Sequence, residues 1–168
     1  MIKMIFAMGP NGEFGSTDGL PWDCPKDLAH FKEYTSGCTL LMSPATFNSL
    51  PFKLPGRVNV VVGQDGSSCV AKNGDVPDIF MPGKAPLEDV CRKLETYLHQ
   101  NVCVIGGRKL LDEATSFVDK ASITVVRSHL VGKACHYIRP YLFIDELNTR
   151  LVLGDLLECN EFTLMEWS

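Results

Sequence analysis

Val102-Cys103-Val104-Ile105-Gly106-Gly107-Arg108-Lys109 joins an unbroken apolar run to two glycines and a basic step. Continuous β-branched and apolar character without polar alternation suits a strand buried on both faces. Two small residues allow a sharp turn, and residues 108–114 resume at helical spacing. A strand that turns straight into a helix is the building unit of an α/β sheet with parallel pairs. The unit recurs on either side of this stretch. Residues 2–8, 39–42, 58–62 and 123–126 read as further strands, with weaker candidates at 141–144, 150–153 and 162–167. Helices are expected over 25–34, 44–50, 87–99 and 108–114. In Ser43-Pro44 the serine can cap a helix whose first position the proline occupies. Leu54-Pro55-Gly56-Arg57 reads as a tight turn with glycine at the positive-φ position. Residues 64–84, rich in Gly, Ser, Asp and Pro, read as the most variable segment, and the last third is expected to close the sheet with antiparallel strands and no clear helix.

A chain of 168 residues, 45% hydrophobic and 21% charged, is expected to form a single domain over 1–168 with a sizeable core. The net charge of -4, without a lysine or arginine run, gives no footprint for nucleic acid or an anionic membrane. Small molecules are the expected partners. Apolar residues 1–8 reach Gly9-Pro10 too soon for a signal peptide, and no stretch is long enough to span a bilayer, so the expected location is cytoplasmic. The seven cysteines, Cys24, Cys38, Cys69, Cys91, Cys103, Cys135 and Cys159, include no Cys-x-x-Cys pair and no zinc-like spacing. Free thiols and no metal site are expected. Cys135-His136, the one adjacent soft pair, would point to opposite faces of a strand.

Candidate chemistry concentrates in Leu20-Pro21-Trp22-Asp23-Cys24-Pro25-Lys26-Asp27-Leu28-Ala29-His30-Phe31-Lys32. Asp27 and Phe31 are four apart and share a helix face, with Leu28 beside them. One carboxylate among apolar groups suits a flat heteroaromatic ring, whose two N–H donors it can accept as a bidentate pair. Acids also favour a helix's first turn for the dipole alone. Trp22, Leu28 and Phe31 tilt the reading toward a site, because an acid in apolar surroundings needs a partner. Residues 9–19, with four glycines, read equally well as a closing lid or an irregular connection. Gly106-Gly107 ahead of a helix can let a phosphate approach backbone N–H groups, although a sharp turn needs small residues in any case. Lys32 and Arg57 could together hold a carboxylate tail, or each be a solvated charge.

Taken in order, Leu20-Pro21-Trp22, Pro25, Asp27-Leu28, Phe31-Lys32, Thr35, Met42, Thr46, Ser49-Leu50, Leu54-Pro55-Gly56-Arg57, Asn59, Ile105-Gly106-Gly107 and Thr124 resemble the dihydrofolate reductase family, over residues 1–62 and 101–126. The resemblance implies a three-layer α/β fold with a mostly parallel eight-stranded sheet between helices. It implies reduction of 7,8-dihydrofolate to 5,6,7,8-tetrahydrofolate by hydride transfer from NADPH to C6 with a proton to N5, serving one-carbon and thymidylate metabolism. Asp27 would hold the pterin's 2-amino group and N3, Thr124 would bond that carboxylate or its water, and Trp22 would complete the catalytic set. Ala7 and Ile105 would offer carbonyls to the pterin, Leu28, Phe31, Leu50 and Leu54 would line its slot, and Arg57 with Lys32 would meet the glutamate tail. On the cofactor side would stand Ala7, Gly15, Leu20, Ser43, Thr46, Ser49, Gly106, Gly107, Arg108 and Lys109. Leu20 and Trp22 would belong to a mobile lid, and the Gly106-Gly107 bond would be cis.

Three positions depart from the family pattern. Ser43-Pro44 replaces a usual Gly-Arg, removing a guanidinium suited to the 2′-phosphate of NADPH and a backbone donor. Gly63-Gln64 replaces hydroxyl or basic residues, with Lys84, Arg108 or Lys109 as compensating charges, and Leu111 stands where a tyrosine is frequent. NADPH is the expected cofactor and NADH a possible one. The alternatives are a same-fold pyrimidine reductase of flavin synthesis and a non-catalytic binding or structural member. A monomer or homodimer is expected.

Overall fold

The structure is a computed structural model that describes residues 1–16, 19–64, 68–134 and 136–168. In chain order the elements are β1 (Ile2–Met8), β2 (Glu13–Gly15), α1 (Pro25–Tyr34), β3 (Thr39–Met42), α2 (Pro44–Ser49), β4 (Asn59–Gly63), β5 (Ile79–Pro82) and α3 (Leu87–Leu98). There follow β6 (Val102–Val104), α4 (Arg108–Ala114), β7 (Lys120–Val126), β8 (His136–Tyr137), α5 (Pro140–Arg150), β9 (Leu153–Glu158) and β10 (Phe162–Trp167). Eight strands form one sheet in the order β5-β4-β3-β6-β1-β7-β10-β9, and β2 pairs with β8. The pairs β1–β6, β3–β6, β3–β4 and β4–β5 are parallel, whereas β10 is antiparallel to both β7 and β9.

The chain divides into two compact units, one made of Met1–Met4 with Thr35–Val118 and one of Ile5–Tyr34 with Asp119–Ser168. In the first unit every residue of β3 and β6 is buried, as unbroken apolar runs require of strands covered on both faces. Asn59, at the start of β4, is fully buried and fully bonded. Its Nδ2 donates to the carbonyls of Leu54 and Arg57, both at 2.9 Å, and its Oδ1 accepts from the Leu54 N–H at 3.0 Å. The side chain thereby staples the turn before β4, in which Gly56 takes φ 70. Ser43 caps α2 through Thr46 N–H, with Pro44 in the first turn. In the second unit Phe6 stacks near Phe143 at 5.0 Å and Phe14 at 6.2 Å, and buried Trp167 donates its Nε1–H to Asn148 at 2.8 Å.

Several sequence expectations need correction. Residues 141–144 are helix, not strand, so the last third does hold a helix. Pro140 in the first turn pre-sets helical φ, and Phe143 and Leu147, four apart, form the buried stripe of α5. Residues 150–152 accordingly precede the strand, which begins at Leu153. The variable segment carries β5 and a bonded turn in which the Ala71 N–H donates to the Asp75 carbonyl at 2.8 Å. Residues 65–67 of that segment lie outside the described residues. The glycine loop 9–19 is likewise not irregular throughout, because β2 pairs with β8 inside it; residues 17 and 18 lie outside the description. Among the described cysteines Cys24, Cys38, Cys69, Cys91 and Cys103 are buried and free, and Cys159 is free and half-buried; Cys135 is not described.

Candidate active site

Asp27 lies in the first turn of α1, a helix in which no side chain is fully buried. The carboxyl is half-buried and accepts a hydrogen bond from the hydroxyl of Thr124, a fully buried residue of β7. Removal from water pushes its pKa above the ordinary 3.8, while the Thr124 hydroxyl and the nearby His30 ring pull it back down. Burial is the larger influence. Phe31 is half-buried one turn along the same face, Leu28 is exposed, and Lys32 is exposed in the last turn. Trp22 packs against Cys24, Phe162 and Leu164, and its indole N–H is buried with no acceptor among the described residues. The Gly132 N–H donates to the Pro21 carbonyl at 2.6 Å, tying down the approach to Trp22. Leu20 is exposed, and Ala7 and Gly15 are half-buried.

The first unit assembles a second group of expected residues. Strands β3 and β6 are neighbours, yet β3 leads through α2 to β4 on one side while β6 leads through α4 away from it. In open α/β sheets ligands bind beyond the carboxyl ends of such a pair. The residues at these two ends are joined, because the Ser43 N–H donates to the Gly106 carbonyl at 2.9 Å. The Gly106-Gly107 peptide is cis. A methyl group on Gly106 would lie 2.7 Å from Thr46 Oγ1, and one on Gly107 would lie 2.8 Å from Ser43 Oγ. Gly106→Val is therefore expected to destabilise the protein by about 1–3 kcal/mol through overpacking, read as a lower thermal midpoint. Gly107 begins α4 without a side-chain cap. Arg108 and Lys109 are exposed, and Arg108 Nε is 3.9 Å from Asp112.

On the other flank Arg57 donates from Nη1 to Thr35 Oγ1 at 2.8 Å and from Nε to the Pro55 carbonyl at 3.0 Å. Its pKa is lowered by partial burial. Leu50, Leu54 and Ile105 are half-buried, and Ser49 donates its hydroxyl to the Thr46 carbonyl at 2.7 Å. At the departure from the family pattern, a methyl on Gly63 would come within 2.5 Å of Pro44 Cγ, so the proline ring lies directly against that glycine. Leu111 is fully buried.

Sequence reasoning passed over His30, Ser122 and Glu166. His30 Nε2 lies 2.8 Å from Ser122 Oγ and 3.7 Å from Glu166 Oε1. The available signal was the spacing of His30, three residues after Asp27 on the same helix.

A family model for dihydrofolate reductase matches residues 1–139. The chain belongs to the dihydrofolate reductase family. A dihydrofolate reductase of Staphylococcus aureus is 34% identical over 159 residues, covering 95% of this chain and 91% of the relative. One from Bacillus subtilis strain 168 is 32% identical over 156 residues, covering 92% and 83%. Among solved structures, a dihydrofolate reductase from Enterococcus faecalis complexed with NADP(H) and RAB-propyl superposes with a TM-score of 0.68 at 20% identity, covering 99% of this chain and 95% of that one. That likeness establishes the dihydrofolate reductase fold, with its mostly parallel eight-stranded sheet. Membership favours the dihydrofolate reading over the pyrimidine reductase and non-catalytic alternatives.

Proposed function

We infer that this chain reduces 7,8-dihydrofolate to 5,6,7,8-tetrahydrofolate with NADPH. It does so as one dihydrofolate reductase domain, cytoplasmic, a monomer or homodimer, with small molecules and neither nucleic acid nor membrane as partners. Among the described residues no helix is long and apolar enough to cross a membrane. The observation that carries the reading is Asp27: a half-buried carboxylate, oriented by Thr124, on a helix that leaves no side chain fully buried. Its two oxygens suit the 2-amino group and N3 of a pterin as a bidentate pair. A carboxyl raised by burial holds its proton further toward neutrality and favours protonation at N5. Phe31, Leu28, Leu50 and Leu54 supply apolar contact, Ala7 and Ile105 supply carbonyls, and Arg57, braced by Thr35 and Pro55, with Lys32 takes the anionic tail.

The residues fit a dinucleotide. Gly106 and Gly107 carry no side chain where a methyl would strike Thr46 and Ser43, so the turn packs closely beside those hydroxyls, and the start of α4 has no side-chain cap competing for an anion. Ser43, Thr46 and Ser49 add hydroxyls, Arg108 and Lys109 add charge, and Leu20, Gly15 and Trp22 belong to the covering segment. When bound, the reduced nicotinamide supplies the hydride. A purified sample given dihydrofolate and NADPH is expected to consume the cofactor; no consumption with NADPH or NADH would overturn the reading. Pro44 lacks the guanidinium that clamps a phosphate. Pro44→Arg is thus expected to lower the KM for NADPH about tenfold, the worth of one charge-assisted bond, and to leave that for NADH unchanged.

A further inference from the structure

We propose that His30 is the positioning residue for Asp27: gripped by Ser122 and Glu166, it locks the turn of α1 that sets the carboxylate over Thr124. This rests on the reading of Asp27 as the carboxylate that meets the pterin. Ser122 and Thr124 are alternate residues of β7 and project from one face of the sheet. Their partners on β10 are Glu166 and Leu164. Asp27 and His30 are likewise one helical turn apart on α1. The helix therefore lays two polar side chains on two polar residues of one strand, Asp27 on Thr124 and His30 on Ser122, with Glu166 flanking the second contact at 3.7 Å.

A single polar contact would let the helix swivel about it. Two contacts, one turn apart on the helix and two residues apart on the strand, resist both rotation and sliding. The second contact works in either state of the ring. Neutral Nε2 accepts the Ser122 hydroxyl proton, and a protonated ring donates, with the Glu166 carboxylate alongside. Titratable groups near His30 include Asp27 and Tyr34 of α1, the latter with its ring 5.7 Å away, and Glu166 of β10, while β7 places the Ser122 hydroxyl against the ring and carries Lys120 two residues earlier. His30 also acts on the Asp27 charge, drawing its carboxyl down against the pull of burial.

The test compares the parent with His30→Leu, His30→Gln and Glu166→Gln. Three readouts are taken: titration of the carbon-13-labelled Asp27 carboxyl by NMR in the ligand-free protein, the pH profiles of kcat and KM for dihydrofolate, and thermal melts. In His30→Leu, Asp27 is expected to titrate at higher pH than in the parent and kcat to fall about tenfold to a hundredfold, the scale of a slight misplacement at a reacting centre. His30→Gln, whose amide can still meet Ser122, is expected to recover most of kcat. Glu166→Gln, which removes one of the two holds on the ring, is expected to lower kcat by less than His30→Leu does, and it carries the test if His30→Leu fails to fold. An Asp27 titration and a kcat profile like the parent's in the folded variants, with only the melts lowered, would overturn the proposal and leave His30 as packing. A parent without turnover, whose Asp27 titration still moves in His30→Leu, would instead overturn the dihydrofolate reading and leave the grip on Asp27 standing.

Discussion

Asp27→Asn is expected to slow dihydrofolate reduction at neutral pH by about 10²- to 10⁴-fold, the range for removing a positioned acid or base, while making the protein harder to unfold. The two effects share one cause. Burial raises the Asp27 carboxyl above its ordinary 3.8, so the folded state binds its proton more tightly than the unfolded chain does. The stabilising contribution of this group is complete below the ordinary value. It is lost as pH rises through the window between that value and the raised one, and above it the charged carboxylate opposes folding. A neutral amide does not titrate. The advantage of Asp27→Asn should therefore open across that acidic window and persist to neutral pH, measured as a higher urea midpoint at unchanged slope. Steady-state kinetics on the same samples should show the activity loss. Turnover like the parent's would remove Asp27 from the chemistry, and an unchanged urea midpoint would show that its burial has no energetic consequence.

The second large effect is expected at Asn59, which touches no proposed ligand. Asn59→Ala removes the partner of the Leu54 N–H and of the Leu54 and Arg57 carbonyls in a buried setting. Groups left unsatisfied there cost about 1–3 kcal/mol each in desolvation, and water entering the gap recovers part of it. A net loss of about 3 kcal/mol corresponds to a thermal midpoint lower by roughly 6–12 °C for a chain of this size. The freed turn also carries Leu54 and Arg57, so KM for dihydrofolate should rise while kcat changes little, the signature of lost uniform binding. Calorimetry and steady-state kinetics check the two halves separately. A lowered midpoint with unchanged KM would mean that the staple supports the fold and not the tail-binding arginine.

The parallel half of the molecule was legible because its strands are covered on both faces. Residues 39–42 and 102–104 are apolar without interruption, and the glycines and prolines that end neighbouring elements are local in their effect. The last third was harder to read. Tyr141, Leu142, Phe143 and Ile144 have the composition of a strand, and only the spacing of Phe143 from Leu147, behind Pro140, reports a helix stripe. Strand β5 lay hidden in a Gly- and Pro-rich context as a four-residue piece at the edge of the sheet, paired only with β4 among the described residues. At the site, Asp27 and Phe31 were visible from helical spacing. Thr124 was reached through the family resemblance, but Ser122 and Glu166 were not, because they meet α1 only through the register of β7 against β10. Long-range pairing of this kind leaves no trace in a local window.

The most direct measurement follows a labelled hydride. NADPH deuterated at the transferable C4 position is incubated with the protein and dihydrofolate, and the folate product is examined by mass spectrometry and NMR. The account predicts tetrahydrofolate carrying one deuterium at C6, formed by the parent at neutral pH and strongly suppressed in Asp27→Asn. Unlabelled product, deuterium at another carbon, or no tetrahydrofolate from the folded parent would contradict it.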